Sequence, residues 1–219
     1  ARGYKLFLEI MKWFVLKKGL ISYSPAHVGA FLKSSPEIDL PDLQFVFTPA
    51  SYTEGMIGKL QNIPGITCGV WQSRPQSRGY VRALSSHIKD APLIQPNYLK
   101  ETIDQDVLIQ GVKICRDLLK TSNMKKISIK ETLPGENIKT DSEILNFIKN
   151  NGATVYHAIG SCRMGIDKDA VVDANLKLNG VENLRVADAS IMPTMPSGNT
   201  NAATLMIAEK ASDLIKKDM

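Results

Sequence analysis

The stretch "PSGNTNAATLMIAEKASDLIKK", residues 196–217, decides how the end of the chain folds. A proline turn and a glycine lead into Asn199, Thr200 and Asn201, and a helix-forming run follows without a break. The pattern predicts a helix from Asn201 to Lys217. A helix start exposes N–H groups with no partner inside the helix, together with the positive end of its dipole. Such a place seats an anion, or a ring that becomes anionic. Asn and Thr are also ordinary capping residues, so composition leaves a plain, well-capped surface helix open.

Upstream, "ATVYHAIGSCRMG" (153–165) places His157, one of three histidines, between a β-branched, aromatic run and a small-residue turn. "ATVYHAI" reads as a short strand, and "NLRVAD" (183–188) as another. Thr154, Val155 and Tyr156 would hold the His157 backbone, while Ala158, Gly160 and Ser161 let another molecule approach. An imidazole takes up a proton near neutral pH, which suits it to general-base work. A histidine without such neighbours is more often structural. His27 lies in a proline-rich loop and His87 at a strand end, so both read as surface or structural residues.

Two more helices are expected. In "TIDQDVLIQGVKICRDLLK", Val107, Leu108, Val112, Cys115, Leu118 and Leu119 recur at helical spacing, with Thr102 and Gln105 placed as a capping box. Thr140 and Glu143 form a second box ahead of "SEILNFIKNNG", which closes on Gly152. "LQFVFT", "GITCGVWQS" and "GYVRALS" read as strands, the last two joined as a hairpin through "RPQSR". An antiparallel sheet with one buried face follows. Its Phe45, Phe47 and Trp71, with Val155 and Tyr156, are candidates for a substrate pocket or for core. "SPAHVGAFLKSSPEIDLPDLQ" is turn-rich, interrupted by Pro25, Pro36 and Pro41. "YKLFLEIMKWFVLKKGLI" reads as an amphipathic, partly buried helix ending at Gly19. Lys5, Glu9 and Lys12 interrupt it, so it is not a membrane span.

The bulk numbers bound the function. A length of 219 residues, with 43% hydrophobic and 22% charged content, is ordinary for a globular protein. The net charge of +5 is spread over scattered lysines rather than a patch, which argues against nucleic acid. Three cysteines without a CxxC spacing argue against a disulfide framework or a zinc site, and for a reducing compartment. No G-x-G-x-x-G follows a strand, so a nucleotide-binding βαβ unit is not expected in this chain.

"YHAIGSCRMG" and "AVVDANLKLNGVENLRVADASIMPTMPSGNTNAATLMIAEKASDLI" resemble the C-terminal end of the glucose–methanol–choline (GMC) oxidoreductases, which are FAD-dependent. The choline- and alcohol-dehydrogenase-like branch is the most similar. The likeness runs, more loosely, through "SYSPAHVGAF", "PDLQFVF" and "QSRPQSRGYV". It implies a mixed α/β (α+β) fold. Residues 1–150 would form a substrate-binding region with an antiparallel sheet and flanking helices. Residues 151–219 would return to the FAD domain, adding a strand and helix to its Rossmann-like fold and carrying the active-site motifs. It also implies FAD-dependent oxidation of an alcohol to an aldehyde or ketone. His157 would abstract the proton as hydride passes to flavin N5, with Asn199 as the second active-site residue. Asp188 and Ala189, and the amides of Thr200 and Asn201, would contact FAD. Val155, Tyr156 and Phe47 would line the substrate pocket. Ser161 stands where the family often has Thr.

The family's N-terminal FAD-binding part would be a partner, along with a small-molecule alcohol. No nucleic acid, metal or transmembrane segment is implied, and a cytoplasmic or membrane-peripheral location is expected. Two alternatives stay open at this point. One is a non-catalytic fragment or subunit that needs a separate N-terminal chain. The other is an offshoot with lyase or decarboxylase chemistry.

Overall fold

The computed structural model describes residues 3–24, 26–53, 59–127 and 130–218. Strands β1 (Val28–Leu32), β2 (Leu43–Thr48) and β3 (Thr67–Gln72) form an antiparallel sheet in the order β1-β2-β3. Because successive strand residues face opposite sides, β2 sends Leu43 and Phe45 to one face and Gln44 and Val46 to the other. The first face is closed by α2 (Thr102–Leu119), which buries Val107 and Cys115 against Leu43 and Phe45. Phe45 is therefore core, not pocket wall. The other sheet face is left for the site described below.

The loop after β3 turns away instead of closing a hairpin. Asp104, fully buried at the start of α2, accepts the N–H of Gln76 at 2.8 Å and of Ser77 at 2.7 Å, and Gln72 Nε2 at 3.0 Å. Those bonds draw "RPQSR" onto the helix. Strand β4 (Tyr80–Arg82) then pairs with β5 (Leu93–Gln95) in a separate two-stranded ribbon, not with β3. The Thr102–Gln105 box does not form either. Glu101 occupies the cap position without a side-chain bond, and Gln105 Nε2 donates to the Leu99 carbonyl at 2.8 Å.

Helix α3 (Asp141–Asn151) opens on Thr140 with both halves of its capping box in place and ends at Gly152. Helix α4 (Asn201–Lys217) spans the residues its sequence predicts. It buries Ile207 and Ala211 against Val172, Leu176, Ile191 and Met192, a second core separate from the one under the sheet.

Helix α1 (Gly3–Leu16) stops short of Gly19, since Lys17 already adopts a left-handed conformation (φ 53°). The Glu9 carboxylate accepts the Leu20 N–H at 2.7 Å and folds the chain back along the helix. The only element packed on α1 among the described residues is the 3-10 turn Leu20–Ser22. Its apolar side chains, Phe7, Phe14 and Val15 among them, are accordingly exposed, not partly buried. Strand β1 was hidden in the turn-rich segment. It lies between that segment's prolines and is not broken by them; Pro25 itself is outside the described residues.

The two strands expected near the C-terminus are absent among the described residues. Residues 153–159 have no paired neighbour among the described residues, and 183–188 pairs only through the isolated Lys177–Arg185 bridge, made by the Val186 N–H on the Leu176 carbonyl and the Leu178 N–H on the Leu184 carbonyl. A strand exists only as part of a ladder, and among the described residues no other strand lies beside either segment. The three cysteines are free, with the Cys68 and Cys115 sulfurs 3.0 Å apart across β3 and α2. Contact with Cys68, then burial, pushes the Cys115 thiol well up. No helix among the described residues is long and apolar enough to cross a membrane.

Candidate active site

The segment that carries His157 is positioned by a local pairing. Gly160 turns the chain with φ +82°, and a Cβ there would sit 3.3 Å from the Met192 carbonyl oxygen. The chain then lies along 190–191, with the Cys162 N–H bonded to Ser190 O at 3.0 Å and the Met164 N–H to Ile191 O at 2.8 Å. Residues 189–191 form a 3-10 turn capped by Asp188, whose carboxylate accepts the Ser190 N–H and hydroxyl. Arg163 is committed locally in a bidentate pair with Asp167 (2.8 and 2.6 Å). Hydrogen bonding to that guanidinium holds the Asp167 carboxyl well below the usual carboxylate range.

His157 and Thr200, 43 positions apart, meet with Nδ1 and Oγ1 at 3.0 Å. Thr200 is buried and precedes α4 without capping it through its side chain. The hydroxyl engages the imidazole instead, and no hydrogen bond among the described residues takes up the N–H groups of residues 201–203. One residue earlier, Asn199 Oδ1 accepts from Gln44 Nε2 at 3.2 Å, and Gln44 Oε1 accepts the Trp71 indole N–H at 3.1 Å. Gln44 and Trp71 are cross-strand partners on the sheet face opposite α2, beside Phe31, whose ring lies closest to Gly198. Arg74 donates twice to Ser197 Oγ (2.9 and 2.7 Å), anchoring the loop that brings Asn199 in.

The structure thus brings together His157, Asn199 and Thr200, with the start of α4 at Asn201. Val155 and His157 line a broad cleft with Val46 and Trp71. Tyr156 does not line it; it adopts a left-handed conformation (φ 62°) and stands 78% exposed. Phe47 does not line it either. It shares the α2 face with its partner Cys68, and Val46 holds the corresponding place on the site face. Asp188 is exposed and spent on Ser190, while Ala189 is half-buried in the 3-10 turn. His27 stacks edge-on against Tyr23, and His87 pairs with Asp90 at 3.6 Å, both away from this cluster. Gln44 was missed from sequence. Its signal is a carboxamide at the outward position of an otherwise apolar strand start, "LQFVF".

A flat ring that gains negative charge fits this arrangement, because open helix-start amides stand next to a hydroxyl-held imidazole. Comparisons with known proteins identify the family. A family profile described as GMC oxidoreductase matches residues 75–208. An alcohol dehydrogenase [acceptor] of Pseudomonas putida is 42% identical over 216 residues, covering 98% of this chain and 38% of that protein. An oxygen-dependent choline dehydrogenase of Vibrio vulnificus is 36% identical, covering 93% of this chain and 37% of that protein. Among solved structures, pyridoxine 4-oxidase from Mesorbium loti superposes with a TM-score of 0.78 at 30% identity, covering 86% of this chain and 37% of the other. The chain therefore spans less than two-fifths of the length of each of these proteins. With the profile covering more than half of its 219 residues, including both His157 and Asn199, the chain belongs to the GMC oxidoreductase family.

Proposed function

We propose that the whole protein oxidises an alcohol to an aldehyde or ketone with FAD as cofactor, and that this chain supplies the catalytic side chains. FAD, when bound, would supply the hydride acceptor. His157 takes the hydroxyl proton: with Nδ1–H donated to Thr200 Oγ1, the lone pair left for the substrate is on Nε2. Asn199 hydrogen-bonds the substrate oxygen and fixes the carbon for transfer. The amides at the start of α4, around Thr200 and Asn201, and the 188–189 turn would hold the cofactor, and those amides would favour negative charge there. Residues 1–150 form the substrate-binding region and residues 151–219 the return to the FAD domain. The N-terminal FAD-binding part of the relatives is the partner that completes the site and covers the apolar side of α1.

The observation that carries this reading is the contact of His157 with Thr200, the residue after Asn199, across 43 positions of sequence. The test is His157→Ala in the full-length flavoprotein, followed by anaerobic flavin reduction with an alcohol. Flavin should stay bound while the reduction rate falls about 100- to 10,000-fold, the range a lost general base gives. A near-normal rate removes His157 from that role.

A further inference from the structure

We infer that Gln44, held by Trp71, is a positioning residue that decides which end of the Asn199 carboxamide faces the substrate oxygen. This rests on the proposed alcohol oxidation, and it adds the hydrogen-bond sense of the contact and the residues that set it. The indole N–H is a donor with no acceptor role. Its 3.1 Å bond to Gln44 Oε1 therefore permits one orientation of that amide, oxygen toward Trp71 and nitrogen away. Gln44 Nε2 is itself donor-only, so the atom of Asn199 that lies 3.2 Å from it is the oxygen. The sense of both bonds is set by the indole and passes in one direction. Asn199 Nδ2 is left with its two hydrogens, and no bond among the described residues occupies them.

The supports are stiff. Gln44 on the central strand β2 and Trp71 on β3 are cross-strand partners, and Arg74 pins Ser197 two residues before Asn199. Asn199 therefore presents a donor, and the atom it recognises is an acceptor. An alcohol oxygen gains negative charge as its proton leaves for His157, so a donor fixed toward it binds more tightly in the transition state than in the ground state. The opposite orientation would set a carbonyl oxygen against that growing charge.

The sense of the bonds makes an unusual prediction about conservative change. In Gln44→Glu the carboxylate still accepts from the Trp71 indole, but it now also accepts from Asn199. The Asn199 amide is turned over, with Oδ1 toward the substrate. Gln44→Leu merely releases Asn199 to take either orientation. The experiment is anaerobic reduction of the full-length holoenzyme by an alcohol, read as limiting rate and apparent substrate affinity, with flavin absorbance and Tm as checks on integrity. Gln44→Glu should lower the limiting rate about 100-fold with little change in affinity, the loss typical of one oriented donor. Gln44→Leu should cost about tenfold or less, since either orientation remains available. On an Asn199→Ala background, both changes should add under about twofold, because the group they orient is gone. A merely structural role predicts the reverse ranking, since Glu is nearer than Leu to Gln in shape. A Gln44→Glu variant at the normal rate, or one faster than Gln44→Leu, overturns the inference. A normal rate for Asn199→Ala by itself overturns the underlying reading of the site instead.

Discussion

Replacing Asp104 with asparagine tests whether one buried carboxylate holds the turn that leads from the sheet to the site. Asp104 is 2% exposed and accepts two backbone N–H groups, from Gln76 and Ser77, and the Gln72 side chain. Burial alone would raise its pKa, but the bonds from Gln76, Ser77 and Gln72 outweigh it and hold the carboxyl below its ordinary value. Asparagine keeps the shape and one oxygen. If that oxygen stays with Gln76 and Gln72, the new NH2 faces the Ser77 N–H, donor against donor. A backbone donor left buried and unpaired costs about 1–3 kcal/mol, and two charge-assisted bonds fall to neutral strength, for a sum near ~3 kcal/mol. For a domain of this size that lowers Tm by roughly 6–12 °C.

The pH dependence has a definite sign. The folded-state pKa lies below the unfolded one, so the carboxylate's contribution is complete above the unfolded pKa and lost as pH falls through the folded pKa. The Tm gap between wild type and Asp104→Asn, followed by calorimetry, should therefore be widest at neutral pH and close in acid. The turn also carries Arg74, which holds Ser197, so alcohol-dependent flavin reduction should fall as well. A neutral-pH gap under about 2 °C, well below that estimate, would refute the assignment of the turn to this carboxylate. So would a gap that stays constant into acid.

The remaining expectations are shorter to state. Thr200→Val keeps the shape of the buried side chain and loses the bond to His157 Nδ1. Stopped-flow reduction should slow by about 10- to 100-fold with little change in Tm, and Thr200→Ser should recover most of the rate. Gly111→Ala puts a Cβ 2.9 Å from Val70 Cγ2 and 3.2 Å from Leu43 Cδ2, where α2 packs against the sheet. Overpacking of about 1–3 kcal/mol exceeds the helix-propensity gain of about 1 kcal/mol, so denaturant titration should show a net loss. Thr140→Ala removes the Oγ1 acceptor of the α3 capping box and should cost about 1 kcal/mol by the same measurement.

The sequence was most legible where one element settles its own structure. The α3 box needs only Thr140, Glu143 and their own backbone, and both halves form. Strands β2 and β3 are rich enough in apolar, aromatic and β-branched residues to be found without knowing their partners. Readings failed where the deciding partner is distant in sequence. The β3–β4 hairpin was lost to Asp104, which lies well beyond the turn, and the Thr102–Gln105 box was lost to the Leu99 carbonyl and the Glu101 cap. Phe47 was a sound pocket candidate by composition, and register alone turns it toward α2. His157 and Asn199 were singled out through family resemblance, and the structure sets Thr200, the neighbour of Asn199, against the His157 ring. Gln44 was not legible, because its position matters only once the sheet has assigned it a face and Trp71 a place opposite.

The site also explains two local choices that stability does not favour. A threonine before a helix ordinarily caps it, a bond whose replacement costs about 0.5–2 kcal/mol. Thr200 makes no such bond, and its hydroxyl goes to His157. Tyr156 adopts φ 62° and exposes most of its ring, an expensive backbone for a bulky aromatic residue. With Tyr156 turned outward, Val155 and His157 on either side line the cleft together. Both departures would be unprofitable in a plain capped helix and a plain loop, and both meet at the imidazole. Broken local rules that converge on one titratable group fit the general-base role proposed for His157, which an ordinary surface helix start would not need.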